Sequence, residues 1–208
     1  MIKVIFATIT VFLTWIGVTI VIVGLGGMTQ RILGLKIRNS QNLFQSFWLG
    51  LASIIGFLQL WHLKFSVDLI VLIILVLISF IGLILNFEEF SPLIKNFSGK
   101  RYYIFGLFVF LVGIWLANLS IGPATPHDAG LYHLQTVSWL NQYPIVPGLG
   151  NLHGRLAFNS SYFLYSAVLE NIPWIPGSYH MTNGLLILVI FAHFSWSLYT
   201  IFISVVRL

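Results

Sequence analysis

The sequence predicts an all-α integral membrane protein with about five transmembrane helices and, between the fourth and the fifth, an outer loop containing interfacial helices. Three observations carry this prediction. Of 208 residues, 58% are hydrophobic and 7% charged, against roughly 25% charged in a water-soluble domain, and the mean hydropathy is +0.96. The ten basic and five acidic residues all fall in gaps between long neutral runs, as a bilayer demands when a mid-membrane charge costs about 2.5–3.5 kcal/mol on insertion scales. Those runs extend from Val4 to Gln30, Asn39 to Leu63, Leu69 to Phe87, Tyr102 to His127 and Asn171 to Val206. Each holds the ~20 apolar residues that cross ~30 Å of hydrocarbon.

The same arithmetic excludes a disordered chain, a coiled coil, collagen and a small disulfide scaffold. The absence of cysteine removes thiolate metal sites and cysteine nucleophiles. A pI near 9.6 does not point to nucleic acid, because Lys and Arg are scattered and form no basic face. The net charge is topology information.

The spans are expected at Val4–Gly27, Leu43–His62, Val67–Asn86, Tyr103–Ile121 and Asn183–Val205. The first exceeds the 7–15 residues of a signal h-region and no Ala-x-Ala pattern follows it, so it is expected to stay as a span. Lys and Arg resist translocation. Arg31, Lys36, Arg38, Lys95, Lys100, Arg101 and Arg207 share one side of a five-helix arrangement, against Lys3, Lys64 and Arg155 on the other. This places the N-terminus outside and the C-terminus in the cytoplasm of a multi-pass cell-membrane protein. Residues 1–101 then form a three-helix region with basic cytoplasmic loops, and 102–208 a second module. Lys64 and Asp68 read as an exposed pair, and Glu88 and Glu89 as part of a solvated loop. Ala52 with Gly56, and Gly113 with Ala117, have small-xxx-small spacing suited to helix packing. His62, His180 and His193 stand isolated, no metal site is expected, and the spans hold no buried ionisable residue or broken inverted pair, which argues against a transporter.

From Gly122 to Thr182 the composition changes: Pro, Gly, His, Asn and Trp crowd in. The segment is expected to fold on the outer membrane surface. Pro123-Ala-Thr-Pro-His-Asp128 opens a helix, with Thr125 as N-cap, Pro126 in the first position and Asp128 in the third. It is expected to run to about Gln142, with Asp128, Tyr132, Gln135 and Trp139 on one face and Leu131, Leu134, Val137 and Leu140 supplying an apolar region. In Pro147-Gly-Leu-Gly-Asn-Leu-His-Gly-Arg155 three glycines permit tight turns, and His153 and Arg155 suit an anion. A second helix is expected over roughly Leu156–Leu169. Asn171-Ile-Pro-Trp-Ile-Pro-Gly-Ser-Tyr-His180 then leads into the last span.

A membrane helix followed by an outer loop whose interfacial helix opens on an acid, here His127-Asp-Ala-Gly-Leu-Tyr-His-Leu-Gln135, resembles the C superfamily of membrane glycosyltransferases (GT-C fold). The wider string, adding Pro147 to Arg155 and Phe158-Asn-Ser160, is similar to a bacterial family of multi-spanning proteins of surface-polysaccharide synthesis. The match covers mainly Tyr103 to Glu170. The resemblance implies transfer of sugar from a polyprenyl-phosphate donor to a glycan acceptor at the outer face, with inversion and no cofactor. It makes Asp128 the catalytic carboxylate. His127, Tyr132, His133, Gln135, His153, Arg155 and Asn159 become the substrate-binding candidates, with Arg155 and His153 on the phosphate by chemistry. His127 and Ala129 flank Asp128 where many GT-C members have a second acid, which speaks against a metal held by paired acids. GT-C enzymes usually carry eight or more spans, so this chain is expected to be part of a longer or split protein.

Structural alternatives stand beside each residue. Asp128 also suits a capping acid, and His133 lies about 140° around a helix from it, where an interfacial or packing role is the simpler reading. His153 and Arg155 also suit lipid headgroups or a pair with Glu170. Trp139, Trp174 and Tyr179 suit sugar stacking or interfacial anchoring. The alternative function is a non-catalytic membrane component of polysaccharide assembly or export that binds glycan or lipid.

Overall fold

A computed structural model describes residues 2–37, 40–95, 100–122, 128–157, 160–175 and 177–206, and every regular element among them is helical. The elements are α1 (Ile2–Ile32), α2 (Ser40–His62), α3 (Leu69–Leu85), α4 (Phe87–Lys95), α5 (Lys100–Ser120), α6 (Leu134–Gln142), α7 (Ser161–Glu170) and α8 (Thr182–Val206). Four helices, α1, α2, α5 and α8, are each long and apolar enough to cross a membrane. A fifth span results if α3 and α4 count as one bent at 75°. Thr125, Pro126 and Arg207 lie outside the described residues.

α1 is the mast of the bundle, packed along α2 and α3 and against α5. Its contact with α2 is a backbone crossing: a Cβ on Gly26 would sit 1.6 Å from the Ser46 carbonyl oxygen, and one on Gly50 1.8 Å from that of Ile22. Beside it, the buried Ser46 hydroxyl donates to Gln30 Oε1 at 2.6 Å, so a polar contact seals the crossing. Of the two small-residue pairs expected at interfaces, Gly113 meets the Phe12 ring and Ala117 is fully buried. Gly56 has nothing within 4 Å and Ala52 is exposed, so that pair faces outward.

The turn between α2 and α3 corrects a second expectation. Asp68 is the N-cap of α3, its Oδ1 accepting from the Ile70 and Val71 backbone N–H groups at 3.0 and 3.4 Å, while Lys64 lies over the Phe65 ring at 5.8 Å. The acid satisfies backbone donors that a helix start otherwise leaves open. Asp68→Ala is expected to destabilise the protein by about 1 kcal/mol, with Lys64→Ala close to neutral, as read by thermal melts in detergent. At the other end of α3, Asn86 breaks the helix, its Nδ2 donating back to the Gly82 carbonyl at 2.7 Å. Glu88 and Glu89 belong to α4, not to a loop, and Glu89 Oε2 accepts from Ile37 N–H at 2.7 Å.

His193 is not isolated. Trp48 Nε1 donates to its Nδ1 at 3.1 Å, its Nε2 faces Gln41 Oε1 at 3.3 Å, and Phe44 stacks on the ring. A Trp N–H only donates, so Nδ1 is the bare nitrogen of a neutral imidazole tying α2 to α8. The spans thus contain a half-buried ionisable group among polar partners. His180 Nδ1 likewise contacts the Ser120 carbonyl, joining the start of α8 to the end of α5.

Candidate functional site

The segment after α5 is built around the end of the bundle where α2 finishes and α3 and α8 begin. Asp128 opens a π turn over Ala129–His133 that runs into α6, which ends at Gln142. The wider turn is absent from a pattern read at α-helical spacing, and such turns recur at functional sites. α7 starts at Ser161, later than expected, because Gly154–Ala157 forms a separate 3₁₀ turn. Phe163 to Leu169 are all buried. α7 is therefore packed among its neighbours, α6 and α2 above all.

Two asparagines hold this assembly together. Asn141 Nδ2 reaches the carbonyls of Val67 and Ala167 at 2.5 and 2.8 Å, and Asn171 Nδ2 reaches the same two at 2.9 Å each. Ile145 N–H donates to the His62 carbonyl at 2.9 Å. The loop that follows is thereby fixed to the end of α2. Gly148 supplies the one backbone position there with positive φ, +82°, which glycine adopts without steric cost.

On this frame Arg155 Nη1 meets Asp128 Oδ1 at 2.6 Å. The Arg155 guanidinium lies over the Tyr132 ring at 5.4 Å, and its backbone N–H donates to His153 Nδ1 at 3.3 Å. Asp128 makes no capping bond to the turn it opens. The expected alternative pair of Arg155 with Glu170 does not form: Glu170 Oε2 accepts from Ser178 N–H at 2.6 Å. With the side chains 51% and 43% exposed, the Asp128–Arg155 pair contributes about 0–1 kcal/mol to stability. Folding therefore gives little reason for it.

Asp128, Tyr132, His153 and Arg155 come together as one group. His133 stands at its edge, packed on Tyr132 and near Phe163, with ring centroids 4.3 and 5.2 Å away. Gln135 is exposed. His127 and Asn159 lie outside the described residues. Trp174 Nε1 donates to Thr14 Oγ1 at 2.9 Å, which makes it a tie to α1.

Beside the ion pair a cleft of about 260 Å³ opens, lined by His62, Trp139, Arg155, Ser160, Phe163 and Leu164 among others. Sequence reasoning missed His62 and the cleft, because the wall assembles from segments far apart in the chain. Burial pushes the Tyr162 phenol up, opposed by its hydrogen bond to Thr182, and pushes Tyr165 up further. Neither tyrosine supplies a base near neutral pH.

A family model described as a domain of unknown function, DUF8201, matches residues 9–206. The chain belongs to the DUF8201 family. No curated protein and no solved structure matches it. The DUF8201 match takes in Asp128, Arg155 and every residue lining the cleft.

Proposed function

We propose that this protein is a multi-pass membrane glycosyltransferase of GT-C type, or a part of one, acting at the outer face of the cell membrane. In this reading the N-terminus and residues 122–182 lie outside and the C-terminus lies in the cytoplasm. The donor is a sugar on a polyprenyl phosphate and the acceptor a glycan hydroxyl.

The observation that supports it is the convergence of Asp128 and Arg155, separated by 27 positions, into a 2.6 Å contact beside an open cleft. The contact uses one oxygen and one guanidinium nitrogen, and the other acceptor and donors can engage a substrate. Asp128 takes the proton of the acceptor hydroxyl as that oxygen bonds to the sugar C1. The C1–O bond to phosphate breaks with inversion, and the polyprenyl phosphate departs with the electron pair. Arg155 stabilises the charge that gathers on the phosphate oxygens.

A second reading, binding of glycan or lipid without chemistry, draws on the same contact, because one carboxylate oxygen of Asp128 is already taken by Arg155. Asp128→Asn separates the two. In cells that depend on the protein, the enzyme reading expects glycan product to fall by about 10²–10⁴-fold while the variant inserts normally. Unchanged product sinks that reading. Leu152, 71% exposed on the loop, is the place for a single cysteine in this cysteine-free chain. An impermeant thiol reagent is expected to label it from outside, and labelling only from the cytoplasm overturns the proposed orientation.

A further inference from the structure

A larger space than the cleft lies toward the other end of the bundle. Four helices stand in a ring around it. α1 crosses α2 at Gly26 and Gly50, and Trp48 on α2 donates to His193 on α8 at 3.1 Å. Trp196 on α8 packs on Tyr102 and Phe105 of α5, with ring centroids 5.3 and 5.1 Å apart. Phe110 on α5 meets Phe12 on α1 edge to face at 5.4 Å, which closes the ring. The enclosed cavity has a volume of about 480 Å³. Packed interiors hold few voids larger than a water molecule, so a space of this size is a binding site and not slack in the packing.

Its shape and lining narrow the ligand. The α1 side runs from Phe12 to Val23, about 16 Å at helical rise, so the cavity is a slot longer than it is wide. The walls are aromatic and aliphatic, Phe47, Val109 and Leu188 among them, and among the described residues Thr19 supplies its one hydroxyl. Toward the cleft the slot is closed by Trp15, which is 1% exposed, lies against Gly184 and donates from Nε1 to the Met181 carbonyl at 3.0 Å. Ile16 and Ile20 on α1 and Gly106 and Phe110 on α5 line the slot and are exposed. It therefore opens sideways between α1 and α5, where a spanning bundle meets hydrocarbon. A ligand that enters there, is longer than wide and meets no charge inside is a hydrocarbon chain. The headgroup follows from charge: α5 opens on Lys100 and Arg101, about 8–9 Å along its axis from Gly106, and the sequences of α1, α2, α5 and α8 contain no acid.

We infer that the slot holds one acyl chain of an anionic phospholipid from the leaflet at this end of the bundle, with its phosphate at the Lys100–Arg101 start of α5. The inference does not rest on the transferase reading. The slot's α2 and α5 walls come from the first half of each helix, away from Asp128 and Arg155, and its occupant is a resident lipid that undergoes no reaction.

The test is native mass spectrometry of the full chain released from nanodiscs of phosphatidylcholine and phosphatidylglycerol in equal amounts. The wild-type protein is expected to retain one lipid, with phosphatidylglycerol favoured by about tenfold or more. Gly106→Phe fills the window from α5, where an added Cβ meets nothing within 4 Å, and Ile20→Trp fills it from α1, at 50% exposure. Each should melt as the wild type does and retain at least about tenfold less lipid. Gly56→Phe, equally open but remote from the slot, should retain lipid as the wild type does. Lys100→Gln with Arg101→Gln should keep the lipid and lose the preference for phosphatidylglycerol. Wild-type retention by both window variants, equal retention of the two phospholipids by the wild type, or displacement of the phospholipid by an equal amount of undecaprenyl phosphate overturns the inference. A retained second copy of the chain in place of lipid overturns it too. No transfer reaction is read, so the outcome for Asp128→Asn, whichever way it falls, leaves these results unchanged.

Discussion

Exchanging the two charges, Asp128→Arg with Arg155→Asp, is expected to leave the protein folded and inserted while product formation falls by about 10²–10⁴-fold. The pair contributes about 0–1 kcal/mol at the exposures observed, so neither single change nor the exchange threatens the fold. The exchange restores an ion pair of the same length and opposite sense. A role confined to holding the 144–157 loop against the π turn survives it. A role in accepting a proton at position 128, with a cation on the phosphate side at 155, does not. The Tyr132 ring below the guanidinium sharpens the test, because the swapped carboxylate then faces the negative face of that ring and the site loses its cation platform. Wild-type product from the exchanged variant, with wild-type melting behaviour, assigns the contact to structure and removes the catalytic proposal.

The membrane-length helices were legible in the sequence because the gaps between charges mark them. The expected ends of the second and third spans, His62 and Asn86, fall on the last residue of α2 and on the C-cap of α3. The roles of single polar residues were less legible. Lys64 and Asp68 look like an ion pair by spacing, but Asp68 has backbone donors at closer hand. Asp128, Tyr132 and Arg155 were all candidates, yet nothing in their spacing said that Arg155 would choose Asp128 over Glu170. That choice follows from Asn141 and Asn171, which tie α6 and the end of α7 to the same Val67 carbonyl, and from the Ser178 N–H that occupies Glu170. The π turn left no trace in an apolar pattern that tolerates either helical period.

Helix faces were the least legible feature, for a physical reason. Inside a bilayer the outward face of a helix is as apolar as the inward one, so hydrophobic periodicity does not tell them apart and small residues become the only marker. The marker is ambiguous. Ala52 and Gly56 carry the expected spacing and face outward, while the backbone crossing uses Gly26 and Gly50, on different helices and with no mutual spacing to read.

This gives the sharpest stability contrast in the protein. Gly26→Ala places a methyl carbon 1.6 Å from the Ser46 carbonyl oxygen, far inside any tolerated contact. The obstacle is backbone, so no rotamer change relieves it. α1 and α2 must separate, which also breaks the 2.6 Å Ser46–Gln30 hydrogen bond and opens packing along the mast. The expected cost is about 3 kcal/mol or more, seen as a large fall in melting temperature and in the yield of folded protein. Gly56→Ala on α2 makes the same chemical change where nothing lies within 4 Å. Alanine favours a helix over glycine by up to ~1 kcal/mol, so this variant is expected to melt at or above the wild-type temperature. Equal melting of the two variants would show that α1 and α2 do not cross at Gly26. The frame that brings the end of α2, and with it His62, to the cleft would then have to be redrawn.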